Sequence, residues 1–445
     1  MGRATREADG AADKTVTGTT AAERQKRPFY YGWWIVISAG LINSLGGSIH
    51  WQGFAVFFLP VSESLNLSRA ATALPFALAR AEGGLMGPVT GWLIDKYGVR
   101  PLMITGTILV GVGYIWLSRT STYLAFLLVY LFVISVGAST TFMQATTAAL
   151  NAWFIRRRGM AMSVNSAAFR LGGAIMVPLL SVAVLRYGWE AAAFWVGILM
   201  LAAITPLALV FRRSPESMGL RPDGDPPRER KTIAGAAPGA YEDDEDDWSV
   251  GEALRSRAFY VLALGTVLRM SAHGTFFVHV IAILVWKGES QQAAANMLGL
   301  LALLAVPLIL FMGWLSDRVN RQVLLSFLYM SSGTSLLLLI VADGTVPTFL
   351  ALLLFAGSEA GAALNWALVG DMFGRRKFAT IRGMLAPIYN TALLIMPVAA
   401  GLAYDITESY RGVLFVGGLL MFGAAITFFR LKPPERAAPV VVSGR

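Results

Sequence analysis

Five charged side chains lie deep inside long apolar segments of the sequence. They are Arg80 and Glu82 in one segment, Arg170 in a second, and Arg269 and Glu359 in two later ones. At about 1.5 Å of rise per helical residue, each lies roughly 16–20 Å from the charged end of its segment, near the middle of a bilayer. A charge at that depth costs roughly 2.5–3.5 kcal/mol on insertion scales, so its presence indicates a function.

The types of these residues suggest two kinds of chemistry. Arg80, Arg170 and Arg269 outnumber the two acids, so one positive charge is left over and an anion is its simplest occupant. Arg suits bidentate capture of a carboxylate, which makes the three arginines predicted substrate-binding residues. Glu82 and Glu359 are predicted proton-coupling residues, because a buried and incompletely paired carboxyl can exchange protons near neutral pH. The alternative is a structural ion-pair network that holds the helices together.

Polar residues near these charges extend the predicted site. His273 lies four residues after Arg269, on the same helical face, and is a candidate proton carrier or anion ligand. A histidine packed within the membrane is the alternative. Asn43, Tyr389 and Asn390 fall at similar depth and are further predicted substrate contacts.

Twelve apolar segments must position these residues. The chain is 56% hydrophobic and only 14% charged, whereas a soluble chain carries about a quarter charged residues. A membrane-crossing helix needs about 20 residues. The predicted fold is therefore an all-α integral membrane protein with twelve transmembrane helices at 31–59, 70–94, 101–119, 121–150, 160–184, 189–211, 257–284, 291–315, 322–342, 346–370, 379–403 and 411–430.

The basic residues between these helices predict the orientation. Eleven Lys and Arg fall in short loops on one side and five on the other, which favours both termini in the cytoplasm. The predicted organisation is a cytoplasmic tail (1–28), a six-helix half (29–211), a cytoplasmic linker (212–256), a second six-helix half (257–431) and a tail (432–445). The acidic, Pro- and Gly-containing linker is expected to be a solvated tether. A regulatory or partner-binding loop is the alternative.

Two local patterns recur along the chain and indicate a duplication. Gly-Trp-Leu followed by an Asp and a basic residue begins at 91 and again at 313, an offset of 222 (313 minus 91). The run 153–159 is echoed by 372–378, at the similar offset of 219 (373 minus 154). The two landmarks predict two six-helix pseudo-repeats, an arrangement found in many transporters.

The first of these patterns resembles the signature loop of the major facilitator superfamily. Val99 departs from the usual basic residue, and Asn320 and Gln322 depart from the pattern in the second copy. We therefore expect the first loop to be the better-formed gate, with Asp95 paired to Arg100 or to a helix N-terminus of the other half. The gating residues that the resemblance implies are Gly91, Asp95, Gly98, Arg100, Asp317 and Arg321.

Further runs at 153–161, 215–224 and 373–376 are similar to the monocarboxylate transporter and oxalate–formate antiporter branch. That resemblance implies transport of small carboxylates, either with protons or by exchange. Relatives in the branch place an essential basic residue on helix eight or eleven. Here 297–313 is uncharged and no Lys or Arg lies between 383 and 405. Carboxylate recognition would then fall to Arg80, Arg170 or Arg269.

Other functions are possible on the same fold. The first alternative is a polyspecific exporter of drugs or metabolites, and the second is a membrane sensor that does not transport. The sequence contains no cysteine and only three histidines, and it shows no phosphate loop or metal-ligand spacing. We expect no enzyme activity, cofactor, metal or nucleic-acid partner. The expected partners are a small anion, protons or a counter-substrate, and the lipid bilayer, around a monomer in the plasma membrane.

Overall fold

The computed structural model of the chain describes residues 29–67, 69–226 and 247–434. The predicted tail 1–28, the centre of the linker (227–246) and residues 435–445 of the second tail lie outside the described residues. The described residues form twelve long helical spans, whose ends agree with the predicted ones to within a few residues. The spans are α1 (Tyr31–Trp51, continued by Phe54–Ser64), α2 (Arg69–Tyr97), α3 (Val99–Leu117), α4 (Tyr123–Trp153), α5 and α6 (together Arg158–Val210), α7 (Arg257–Trp286), α8 (Gln291–Ser316), α9 (Arg321–Val341), α10 (Thr345–Phe373), α11 (Phe378–Thr407) and α12 (Arg411–Phe429).

Apolar length alone identifies ten stretches of the described chain that could cross a membrane. One of these ten, Arg158–Val210, holds two helices, because Gly188 has a φ of +84° and divides α5 from α6. The other missing span is α2, whose 29 residues include Arg80 and Glu82, so its mean hydropathy is lower. The count is therefore twelve spans, as the sequence predicts.

Glycines bring the two halves together at two places. Gly91 on α2 packs so closely against Ala379 and Thr380 of α11 that a Cβ would overlap their backbone. Gly159 on α5 packs in the same way against α8, where Ser316 and Asp317 leave no room for a Cβ. Small residues allow such close approach of membrane helices. The contacts α2–α11 and α5–α8 are thus the two long seams between the halves.

The loop predicted between the second and third helices, residues 95–100, is much shorter than expected. Helix α2 continues to Tyr97 and α3 begins at Val99, so only Gly98, with a φ of +88°, leaves the helical conformation. Glycine adopts this left-handed conformation without the steric cost of a Cβ. The charged residues of the motif therefore lie at the end of α2 and the start of α3, so the two helices determine the directions of their side chains. We call the end of the bundle that carries Gly98 the signature end.

Candidate functional site

An ion pair joins the two halves near the middle of the bundle. Arg170 on α5 contacts Glu359 on α10, and the Glu359 side chain is only 2% exposed. The second carboxylate oxygen of Glu359 lies 3.5 Å from Nε2 of His273 on α7. The other ring nitrogen of His273, Nδ1, lies 3.0 Å from the Ser358 hydroxyl. Three helices from both halves thus meet at one carboxylate.

Arg269 lies beside this group as a second buried cation. Its side chain is 2% exposed, and Nε and Nη1 have no hydrogen-bond partner among the described residues. The Thr266–Asn365 contact at 3.3 Å lies on one side of it and the His273 contact on the other, so Arg269 faces the middle of α10. Because Glu359 neutralises one arginine of the two, the group keeps one positive charge. Such a charge is costly to bury unless an anion compensates it.

The predicted site residues on α2 make different contacts. A carboxylate oxygen of Glu82 accepts a hydrogen bond of 2.6 Å from the Ser135 hydroxyl on α4, within the first half. Arg80 is exposed, and Tyr130 is close enough to interact with it electrostatically. The contacts of Glu82 therefore place it with α4, whereas Glu359 contacts α5 and α7.

Asn43 does not line an opening, contrary to its predicted role. It is fully buried, and its side-chain amide donates to the Thr146 hydroxyl and to the Asn165 side chain, both at 2.9 Å. These bonds hold α1, α4 and α5 together, so we leave Asn43 out of the proposed substrate contacts. The physical reason is that depth in the membrane, which the sequence indicates, says nothing about the direction of the side chain.

The two predicted α11 residues are half-buried. The Tyr389 ring lies 5.7 Å from the Trp366 ring of α10, so it bridges two helices of the second half. The Asn390 amide donates to the Ala386 carbonyl of its own helix at 3.0 Å, and its Cβ packs toward Gly84 of α2. Tyr389 thus packs against α10, and Asn390 faces α2.

One buried charge was assigned wrongly from the sequence. Arg382 is one of the eleven basic residues that the sequence assigns to short loops on one side, but α11 begins at Phe378 and Arg382 lies in its second turn, 6% exposed. Its guanidinium carbon lies 4.3 Å from the centre of the Trp366 ring. The predicted span 379–403 contains this residue, so the sequence already indicated that Arg382 lies within a helix.

The first predicted gate contact is present at the signature end. Asp95 at the end of α2 accepts hydrogen bonds from the backbone N–H groups of Ala379 (3.3 Å) and Thr380 (2.9 Å) and from the Thr380 hydroxyl (2.5 Å). These groups form the N-terminus of α11, where the helix dipole attracts negative charge. Of the two predicted partners, the helix N-terminus is therefore the observed one, and the described contacts of Asp95 do not include Arg100.

The second copy of the motif makes the equivalent contact with additional support. Asp317, just beyond α8, accepts from the N–H groups of Gly159 (2.8 Å) and Met160 (2.9 Å) at the start of α5. Burial raises the pKa of Asp317, although the N–H groups and Arg321 act in the opposite direction. Arg321 donates to Asp317 at 2.9 Å and also pairs with Asp371.

The Asp371 carboxylate extends this network across the halves. It accepts from Nη1 of the buried Arg158 at 2.7 Å, and Arg158 also donates to the Phe154 carbonyl at 3.1 Å. The chain of contacts from Asp317 through Arg321 and Asp371 to Arg158 has four charged members. The expectation that the first loop is the better-formed gate is therefore wrong: the second copy holds more charged contacts.

The linker is not a free tether where the structure describes it. Asp223 near its start accepts from three successive backbone N–H groups of 155–157, at 2.9–3.1 Å. Asp247 near its end accepts from the N–H groups of Arg375 (2.6 Å) and Arg376 (3.1 Å). These are the two loops related by the repeat. Each end of the linker is thus bound to the loop of one half, which corrects the expected solvated tether.

Comparison with known proteins agrees with this architecture. The sequence matches the family model described as Major Facilitator Superfamily over residues 36–366 and 262–444. It is 22% identical to the uncharacterized MFS-type transporter YcxA of Bacillus subtilis, over 90% of this chain and 95% of that one. It is 24% identical to the human monocarboxylate transporter 2, over 89% and 84% of the two chains. The fold is similar to the transporter FucP in its outward conformation, with a TM-score of 0.68, 15% identity, and 88% and 97% coverage.

Proposed function

Because this chain belongs to the Major Facilitator Superfamily, we propose that it is a secondary active transporter of a small organic anion, a mono- or dicarboxylate. It would work by alternating access, in which the two halves rock about a central site. The observation that carries the proposal is the Arg170–Glu359 pair, which joins the halves beside the surplus charge of Arg269. The similarity to proteins named monocarboxylate transporters supports the same substrate class.

Competition for Arg170 would couple the substrate to a proton. In the described state the Glu359 carboxylate occupies the Arg170 guanidinium. A substrate carboxylate needs the same guanidinium for a bidentate bond. Protonation of Glu359 would release Arg170, and the neighbouring His273 ring, 3.5 Å away, could pass the proton. Substrate and proton would then load together, which describes a symporter. In an exchanger, the substrate alone would displace Glu359.

The contacts at the signature end suggest which state the structure represents. Asp95 and Asp317 each bind the N-terminus of a helix in the other half, so that end of the bundle is closed. We propose that this end faces the cytoplasm, with both termini inside and the protein in the plasma membrane. The excess of basic residues at this end supports that orientation. The described state would then be open or occluded toward the outside.

Glu359→Gln tests the coupling. Vesicles containing the variant should lose uptake of labelled lactate or succinate driven by a pH gradient, because glutamine cannot release a proton. Exchange of substrate for substrate should survive. Glu408→Gln, an exposed change at the opposite end, is the matched control and should keep both activities. Equal loss of both activities in Glu359→Gln would contradict proton coupling through this residue and favour a structural role.

Arg170 needs a separate test, since its pair with Glu359 could be purely structural. Arg170→Lys keeps the charge but loses bidentate geometry, and should weaken substrate affinity by about 1–3 kcal/mol, the range for charge-assisted bonds. The double variant Arg170→Gln with Glu359→Gln removes both charges together. If the double variant restores transport to the level of the native protein, Arg170 does not bind substrate.

A further inference from the structure

Arg382 is a buried cation that the central site does not use. It lies on α11, and its guanidinium packs over the Trp366 ring of α10. Its Nε has no acceptor, and within the described residues no carboxylate forms an ion pair with it. Stacking on an aromatic ring compensates only part of the cost of taking a cation out of water. The missing component is an anion.

The position of Arg382 is defined by its neighbours along α10. Arg269 lies between Thr266, which contacts Asn365, and His273, which contacts Ser358, so it faces the part of α10 around Gly361. Trp366 follows Gly361 by five residues, about 7 Å nearer the signature end. The two guanidinium groups therefore lie at successive depths. Tyr389 follows Arg382 by seven residues on the same face of α11, on the side of the central site, and its ring lies 5.7 Å from that of Trp366.

The gate contact lies close to Arg382 along α11. Asp95 binds the N–H and the hydroxyl of Thr380, two residues before Arg382 on the same helix. While that contact holds, α2 lies against the first turn of α11, and Gly87 of α2 packs against Ala386 and Gly383. Separation of α2 from α11 would uncover the start of α11, and with it the surroundings of Arg382.

From this juxtaposition we infer that Arg382, Trp366 and Tyr389 form a second binding station for the anion, on the path between the central site and the signature end. The inference rests on the proposed anion transport and adds a specificity-determining residue to it. The carboxylate leaves Arg170 and Arg269 when the signature end opens and is next bound by Arg382. A substrate with two carboxylates would reach both stations during the transfer.

Side-specific kinetics test this station. Half-saturation of labelled succinate and lactate transport is measured from each face, in right-side-out and inside-out vesicles. Arg382→Gln should raise the half-saturation concentration at the signature end about tenfold and leave the value at the opposite end within about twofold. Arg382→Lys should lie between the two. An equal change at both faces, or none at either, would overturn the inference.

The chain offers a matched control for the substitution. Arg318 also packs over a tryptophan, 3.9 Å from the centre of the Trp314 ring, but that ring is 43% exposed on the outside of α8. Arg318→Gln removes the same kind of contact at the same end of the bundle. It should leave half-saturation at both faces unchanged. Surface expression of each variant is measured to separate a folding defect from a binding defect.

A binding experiment separates this inference from the proposed function. Purified Asp371→Asn, in which the signature end should open because Arg158 and Arg321 lose their shared carboxylate, is heated with sodium succinate or with sodium chloride at equal ionic strength. Succinate should raise its melting temperature, and the added change Arg382→Gln should make that rise smaller, because only the central site then binds succinate. If the native protein transports no carboxylate while Arg382→Gln reduces the shift in this way, only the proposed function fails. A shift that is equal with and without Arg382→Gln overturns the inference whatever the transport result.

Discussion

The two contacts that close the signature end are related by the internal repeat but are not equally supported. At one seam, Asp95 binds the N-terminus of α11 through two N–H groups and one hydroxyl. At the other seam, Asp317 binds two N–H groups of α5 and is joined to Arg321, Asp371 and Arg158. The first seam thus depends on one carboxylate and a helix dipole, and the second on a network of four charges.

The difference is explained by the residues that the repeat places in corresponding positions. At the offsets of 222 and 219, Arg321 corresponds to Val99 and Asp371 to Ala152. The first seam therefore lacks both members that extend the network at the second. One of them, Val99, is the motif position at which the first copy lacks the usual basic residue, and the other, Ala152, lies outside the motif. The number of departures from the motif in each copy thus does not rank the strength of the two gates, and the second seam should hold most of the free energy of closure.

Asp371→Asn should have the largest effect. It leaves Arg158, which is 3% exposed, and Arg321 without their shared carboxylate. Removing one member of a buried pair costs about 3–5 kcal/mol, and the 31% exposure of Asp371 reduces this to about 2–3 kcal/mol. The closed state should lose that free energy, and the signature end should open.

The opening is measured by alkylation of a single introduced cysteine, which is unambiguous because the native chain has none. Ser163→Cys places the thiol one turn into α5, where the native side chain is fully buried behind the gate. Asp343→Asn, an exposed acid at the opposite end, is the control. Unchanged labelling in Asp371→Asn would show that the network does not hold the gate.

Asp317→Asn should have a smaller effect, of about 2 kcal/mol. Asparagine keeps one acceptor oxygen but replaces the other with an NH2 donor, which faces the Gly159 and Met160 N–H groups and Arg321 and cannot accept from them. Arg321 keeps its pair with Asp371, which limits the loss. Alkylation of the same Ser163→Cys reporter should increase, but less than in Asp371→Asn. The reverse order would place the main strength of this seam at the helix N-terminus instead of the ion-pair network.

Asp95→Asn should cost about 1 kcal/mol, the range for a cap and a helix dipole. Transport should fall several-fold with expression intact, because the balance between states with the signature end open and closed shifts. Ala386→Cys, buried against Gly87 of α2, reports on this seam. If labelling at Ala386→Cys and at Ser163→Cys is unchanged, Asp95 has no gating role. If Asp95→Asn opens the end more than Asp317→Asn, the ranking of the two seams is wrong.

The parts of this fold that follow from length and charge could be predicted from the sequence. The hydrocarbon thickness sets the length of a span, so the helix ends were found to within a few residues even in α2, where Arg80 and Glu82 interrupt the apolar run. The contact of Asp95 with a helix of the other half was predicted for a physical reason as well. A carboxylate at an interior helix end needs a positive partner, and a helix N-terminus supplies one.

The choice of partners could not be predicted, because it depends on rotation about the helix axis. Successive residues are rotated by about 100° about the helix axis. An uncertainty of two residues in the position of a helix therefore leaves open which of its side chains face a given neighbouring helix. The sequence therefore placed Arg170, Arg269 and Glu359 at one depth but did not show that Arg170 is the one that pairs with Glu359. The contacts of Asp223 and Asp247 were missed for another reason: backbone N–H groups that bind a carboxylate leave no mark in composition.

The smallest predicted effect distinguishes the seams by pH. Burial raises the pKa of Asp317 in the closed state, against the opposing influence of the Met160 N–H and Arg321. When the signature end opens, water reaches the carboxylate and its pKa returns toward the ordinary value of about 3.9. The closed state thus binds the proton more tightly, so a falling pH favours closure in the window from the raised pKa down to the ordinary one. Above the raised pKa this effect is absent. Alkylation of the Ser163→Cys reporter, normalised to unfolded protein at each pH, should therefore slow modestly as the pH falls through that window. Asp317→Asn should remove that slope, and an equal slope in Asp317→Asn would assign the pH dependence to another group.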